Sequence, residues 1–86
     1  MFYFVYILRN PTTDRYYIGS TNDLNRRLSE HRKGKVRTTR ILKTFDLAYF
    51  ETYTIEEDAR LREKKLKSYK SKKYIKWLID HQNAKI

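Results

Sequence analysis

The sequence predicts an α+β domain: a three-stranded antiparallel sheet flanked by helices, in the order β-β-α-β-α-α. Three observations carry this. Two runs rich in aromatic and β-branched residues, 2–9 and 15–20, stand either side of a turn-forming stretch. A third, alternating run follows at 45–53. Between and after the runs lie segments with helical apolar spacing and capping residues. With 86 residues there is room for a single domain, 1–86. A chain of this size buries roughly 60 to 65% of its unfolded surface, so the core is thin. The aromatic share of 15% therefore weighs heavily in it.

Residues 2–9 read as the first strand. In Asn10-Pro11-Thr12-Thr13-Asp14, proline fixes φ while Asn and Asp satisfy their own backbone, which is turn chemistry. Residues 15–20 complete a hairpin with Tyr6 and Tyr17 on adjacent strands. Thr21, Asn22 and Asp23 are N-cap candidates for a helix over about 23–33, with Gly34 at its C-terminal end. Residues 35–44 are basic without apolar period and read as a loop or a short turn of helix. In the third strand Phe45, Leu47 and Tyr49 fall on one face, Ala48 and Phe50 on the other. Thr54-Ile55-Glu56-Glu57 fits a capping box, placing the start of the next helix at Thr54 and its end near Tyr69. Ser71 caps a last helix with the stripe Tyr74, Trp77, Leu78, His81, and the final residues are expected to fray.

The formal net charge is +10, from 20 basic and 10 acidic residues. Eight basic residues lie between Arg26 and Lys43, and nine between Arg60 and Lys76. Such clustering favours a nucleic-acid partner over an acidic membrane surface. With no cysteine, disulfides and thiolate metal sites are excluded, which fits a cytoplasmic protein. No apolar run reaches transmembrane length, and Phe2 to Leu8 lacks the features of a signal peptide, so no membrane association is expected.

Arg27 and His31 stand one turn apart on the first helix. Relative to Leu24 they fall roughly 60° and roughly 20° round the helix, toward the face that packs on the sheet. A charged arginine there needs a partner or a ligand, unless it snorkels from the core edge. Arg26 points elsewhere and reads as an ordinary surface arginine. On the next helix, Ile55, Ala59 and Leu66 form the inward stripe, with Glu63 within about 80° of all three. Glu63 is the only carboxylate between Ala59 and Ile79. It can hold Mg²⁺, which needs only one or two carboxylates beside water and phosphate, or form a salt bridge to Arg27 or a lysine.

The blocks Phe4-Val5-Tyr6 and Tyr17-Ile18-Gly19, followed by Arg27-x-x-x-His31, resemble the N-terminal half of the GIY-YIG nuclease superfamily. The strings Tyr17-Ile18-Gly19-Ser20-Thr21, Asn25-Arg26-Arg27-Leu28-Ser29-Glu30-His31, Arg37-Thr38-Thr39-Arg40 and Ala59 to Lys67 are similar to its small stand-alone, single-domain members. The first block departs from the pattern, with Phe4 for glycine and Val5 for isoleucine. Gly19 is kept, and a strand glycine marks a bulge or close backbone approach, here suited to a nearby phosphate.

The resemblance implies a metal-dependent DNA endonuclease with catalytic residues Tyr6, Tyr17, Arg27, His31 and Glu63, and Mg²⁺ or Mn²⁺ on Glu63. It implies that Tyr6 activates or orients water, its pKa lowered by nearby cations. Tyr17 positions water or phosphate, Arg27 neutralises phosphoryl charge, and His31 contacts phosphate or shares the proton work. Lys33, Lys35, Arg37, Arg40, Lys64, Lys67, Lys70 and Lys73 would hold flanking phosphates. No base-reading module is present, so specificity is expected to be weak or directed to branched or flapped DNA, or to come from a protein partner. Repair or recombination is the implied setting. The alternatives are a non-catalytic nucleic-acid-binding module that keeps the fold, and a small interaction protein whose charge is incidental.

Overall fold

The computed structural model describes residues 1–10, 12–42, 46–69 and 72–84. Pro11, Lys43, Phe45, Lys70 and Ser71, which figure in the sequence reading, lie outside the described residues, as do 85 and 86 at the end expected to fray. The elements run β1 (Tyr3–Asn10), β2 (Arg15–Thr21), α1 (Leu24–Arg32), α2 (Arg37–Leu42), β3 (Asp46–Tyr53), α3 (Glu56–Ser68) and α4 (Lys72–Ala84). The expected antiparallel sheet is present in the order β2-β1-β3, with one short helix, α2, added between α1 and β3. Among the described residues no helix is long and apolar enough to cross a membrane.

β1 is the central strand and is covered on both faces, which explains its unbroken apolar run. Val5, Tyr6, Ile7 and Leu8 are all inaccessible to solvent. Val5 and Ile7 face a core of Ala59 and Leu66 from α3 and Ile75, Leu78 and Ile79 from α4. Tyr6 and Leu8 face Leu28 and Leu24 of α1, with Tyr17 alongside. The register pairs Tyr6 with Gly19 and Leu8 with Tyr17. The hairpin turn is held by Asn10, whose side chain accepts from the backbone N–H of Thr12 and Thr13, and Asp14 adopts a positive φ of 58°.

Local signals at α1 hold. Asp23 is the N-cap and its carboxylate accepts from the backbone N–H of Arg26 at 3.0 Å. After Lys33 the chain turns through Gly34 at φ 75°, whose N–H returns to the His31 carbonyl. This left-handed residue is where glycine is favoured.

Four expectations are corrected. Thr54 does not cap α3: the helix starts at Glu56 behind Ile55, without a side-chain cap bond. Glu56, Glu57 and Asp58 fill its first turn, where negative charge complements the helix dipole. Ile55, read as inward, is 56% exposed. On α4 the buried stripe is Ile75, Leu78 and Ile79, while Trp77 is 50% exposed and stacks on His81 outside the core. In β3 a bulge lets Leu8 pair with Leu47 and Ile7 with Tyr49, so Ala48 and Tyr49 pack against one core cluster rather than on opposite faces.

Candidate active site

The site is assembled at the free edge of β2. Tyr6 projects from β1 across β2, and its way is open because residue 19 has no side chain. A Cβ there would lie 2.6 Å from the Tyr6 hydroxyl oxygen and 3.1 Å from Cε1 of Tyr17. Gly19 therefore makes room for a phenol ring, not for a phosphate as the sequence reading suggested.

The Tyr6 hydroxyl meets His31 Nε2 at 2.8 Å, and the two rings are edge-on at 5.6 Å. Tyr17 closes the cluster, its ring centroid 5.1 Å from His31 and 6.3 Å from Tyr6. His31 is fully buried, so it is not the core-edge residue expected. Its other ring nitrogen, Nδ1, lies 2.8 Å from the Thr39 hydroxyl of α2, which donates to the Val36 carbonyl. Burial, assisted by the Arg27 charge, pushes the imidazole pKa down.

Arg27 is one-third exposed and donates to Glu30 at 3.0 Å. The nearby Tyr6 hydroxyl, ahead of Glu30, is the largest influence raising its pKa. Arg27 pulls the Tyr6 pKa down, as expected of a nearby cation, but burial outweighs it. The phenol pKa is pushed up to about 12. The expectation that nearby cations lower this tyrosine is thus not met in the free protein.

Glu63 reaches the site from α3 and acts electrostatically on the Tyr6 hydroxyl. Its Oε1 accepts from the Ser20 hydroxyl at 2.5 Å and its Oε2 faces Lys67 Nζ at 2.7 Å. Between α1 and α3 lies a cleft of about 330 Å³, lined by Tyr3, Ser20, Thr21, Asn22, Arg26, Arg27, Glu56, Ala59 and Arg60. Arg26, read as an ordinary surface arginine, is one of its walls.

Of the five expected catalytic positions, Tyr6, Tyr17 and His31 are in mutual contact, Arg27 lines the adjoining cleft, and Glu63 is held by Ser20 and Lys67. Ser20 and Thr39 were missed. Both stood inside strings that carried the family resemblance, but nothing in spacing singles out a short hydroxyl. Of the expected phosphate-binding residues, Lys33, Lys35, Arg37, Arg40, Lys64, Lys67 and Lys73 are exposed. Lys67 is paired with Glu63, and Lys70 is outside the described residues.

A hard divalent cation needs only one or two carboxylates beside water and phosphate oxygens; Glu63 is the carboxylate here that could serve, and its two oxygens are engaged by Ser20 and Lys67. Among the described residues no cluster of three or more His, Cys, Asp or Glu forms a closed cage.

Fold and site define a small sheet-and-helix domain with a tyrosine–histidine–arginine cluster beside a cationic cleft. Residues 2–76 match the GIY-YIG catalytic domain, and the chain belongs to that family of nucleases. It is 34% identical over 77 residues to UPF0213 proteins from two strains of Staphylococcus epidermidis, a match covering 88% of this chain and 93% of theirs. No solved structure matches it significantly.

Proposed function

We propose that the protein is a metal-dependent DNA endonuclease that hydrolyses phosphodiester bonds with weak or structure-directed specificity. The observation that carries this reading is a buried Tyr6–His31 hydrogen bond at 2.8 Å, with the Arg27 charge acting on the same hydroxyl, beside a cleft walled by Arg26, Arg27 and Arg60. Packing alone does not require a permanent cation at the mouth of a buried phenol–imidazole pair.

The scissile phosphate enters the cleft. Arg27, a forked donor that never loses its charge, neutralises the phosphoryl oxygens as charge builds in the transition state. Arg26 and Arg60 hold the adjoining backbone, and their present partners, Asn22 at 3.4 Å and Glu56 at 3.2 Å, are exposed and cheaply exchanged. Glu63, with Ser20 orienting one oxygen, would hold Mg²⁺ or Mn²⁺ in place of the Lys67 ammonium, and the ion would supply Lewis-acid stabilisation of phosphate and leaving oxygen. Tyr6, closed to solvent in the free protein, orients a water that arrives with the substrate and relays its proton toward His31. The exposed lysines and arginines of the α1–α2 region and of α3 bind flanking phosphates without reading sequence.

The test is cleavage of labelled linear, flapped and branched DNA with Mg²⁺ or Mn²⁺, beside the Glu63→Ala protein. Loss of cutting with DNA binding retained is expected. One observation favours a second reading, a non-catalytic binding module: Lys67 already satisfies Glu63. If neither protein cuts and both bind with steep salt dependence, that reading replaces the first.

A further inference from the structure

We infer that Thr39 is a positioning residue: its hydroxyl locks His31 in the Nδ1-protonated tautomer and so leaves Nε2 as a bare lone pair aimed at Tyr6. The argument is an account of hydrogens. The Thr39 oxygen lies 3.1 Å from the Val36 carbonyl and 2.8 Å from His31 Nδ1. A carbonyl only accepts, and a hydroxyl owns one hydrogen, so that hydrogen goes to Val36. The Thr39 oxygen must then accept, which requires Nδ1 to carry hydrogen. The reverse arrangement would set two acceptor oxygens face to face at 3.1 Å, a buried clash without compensation.

A fully buried imidazole next to Arg27 is neutral, with one N–H. That N–H is on Nδ1, so Nε2 has none and accepts from the Tyr6 hydroxyl 2.8 Å away. The other end of the chain agrees. Arg27, the charged group that most affects the Tyr6 hydroxyl, has only donors and so offers that hydroxyl no acceptor to compete with His31 Nε2. The chain therefore runs one way, from Tyr6 to His31 to Thr39 to the Val36 carbonyl. Its direction is fixed by the carbonyl at its end, which cannot donate.

The consequence for chemistry rests on the nuclease reading. When Tyr6 takes a proton from water, its own O–H bond breaks and the hydrogen forms a bond to His31 Nε2. The water becomes hydroxide, and the imidazole carries the positive charge. An Nε2-protonated ring would block this transfer at its first step.

The tautomer is read directly from long-range ¹H–¹⁵N correlation of the histidine side chains in the labelled protein. His31 is expected to show a protonated Nδ1 and an unprotonated Nε2. Thr39→Val, which keeps the shape and removes the acceptor, should move His31 toward a tautomer mixture and lower cleavage by about tenfold or more. Thr39→Ser should restore both. A wild-type His31 protonated on Nε2, or a Thr39→Val spectrum unchanged at His31, overturns the inference. Should the valine variant fail to fold, the wild-type spectrum alone decides. A protein that cuts no DNA would sink the nuclease reading while leaving the tautomer result standing.

Discussion

Two clusters in this domain are built from the same three residue types and do different things. On β3, the Glu51 carboxylate accepts from both ends of the Arg62 guanidinium, at 3.0 to 3.2 Å, from the Tyr53 hydroxyl at 2.6 Å, and from the Tyr49 hydroxyl. Every lone pair that faces the protein is used. Burial, the strongest single influence, raises the Glu51 pKa, but Arg62 and the two tyrosines together outweigh it and the carboxylate is held below its ordinary range. At the β2 edge, Tyr6, Arg27 and Glu63 are spread apart instead. Arg27 opens on a cleft, and Glu63 is held by one hydroxyl and one half-exposed lysine. A saturated set of charges is structure, whereas an unsaturated set beside a cavity is capacity for a ligand.

The sharpest way to break this comparison is to remove the arginine from each cluster. Arg27→Ala should reduce cleavage by about 10²- to 10³-fold, the cost of losing one preorganised donor to a charged transition state. Its ion pair with Glu30 is one-third exposed and water replaces it readily, so the urea midpoint should move little. Arg62→Ala should do the opposite. Leaving Glu51 half-buried and unpaired should cost about 2 to 3 kcal/mol in urea denaturation, less than for a fully buried pair. Cleavage by the folded fraction should be preserved. An Arg62→Ala protein that is fully stable but inactive would reverse the two assignments.

Gly19→Ala sits between the two classes. The added methyl would overlap the Tyr6 hydroxyl, with no backbone strain involved, so the phenol must shift away from His31. Overpacking of this kind costs about 1 to 3 kcal/mol. It should also reduce cleavage, and in the histidine spectrum it should loosen the Nε2 contact. Stability lost without any change at His31 would mean that the Tyr6 hydroxyl does not feed the hydrogen bond at His31 Nε2.

How much of this was legible in the chain follows from the range over which each signal acts. β1, β2 and α1 are fixed by local terms: runs of aromatic and β-branched residues, an Asx turn, Asp23 as cap and Gly34 at a positive φ. Tyr6, Tyr17, Arg27, His31 and Glu63 were found because hairpin register and helical spacing, joined to a family pattern, carry them. The face of α4 was misread because Tyr74, Trp77, Leu78, His81 and Ile75, Leu78, Ile79 both satisfy helical spacing. Burial of aliphatic side chains decided between them, with the indole left to stack on His81. Glu51 and Arg62 escaped notice although a glutamate between Tyr49 and Tyr53 on one strand face is a visible signal of an inward charge. Thr39 gave no signal, since its role depends on α2 folding back over His31 from a segment without apolar period.

The two clusters also separate by pH, with the smallest effects. His31 is held neutral by burial, so its pKa in the folded protein lies below the ordinary 6.5. As pH falls through that value the unfolded chain takes up a proton the folded one refuses, and stability declines by up to about 1.4 kcal/mol per pH unit. Glu51 is shifted down as well, so its contribution is present above its unfolded pKa near 4.5 and is lost as pH falls below it. Two acid steps should therefore appear in urea midpoints measured from pH 8 to 3. His31→Gln should erase the upper one and Glu51→Gln the lower. A wild-type stability that stays flat between pH 7 and 5 would mean that His31 carries its proton in the folded state, and with it the neutral, accepting Nε2 would be lost.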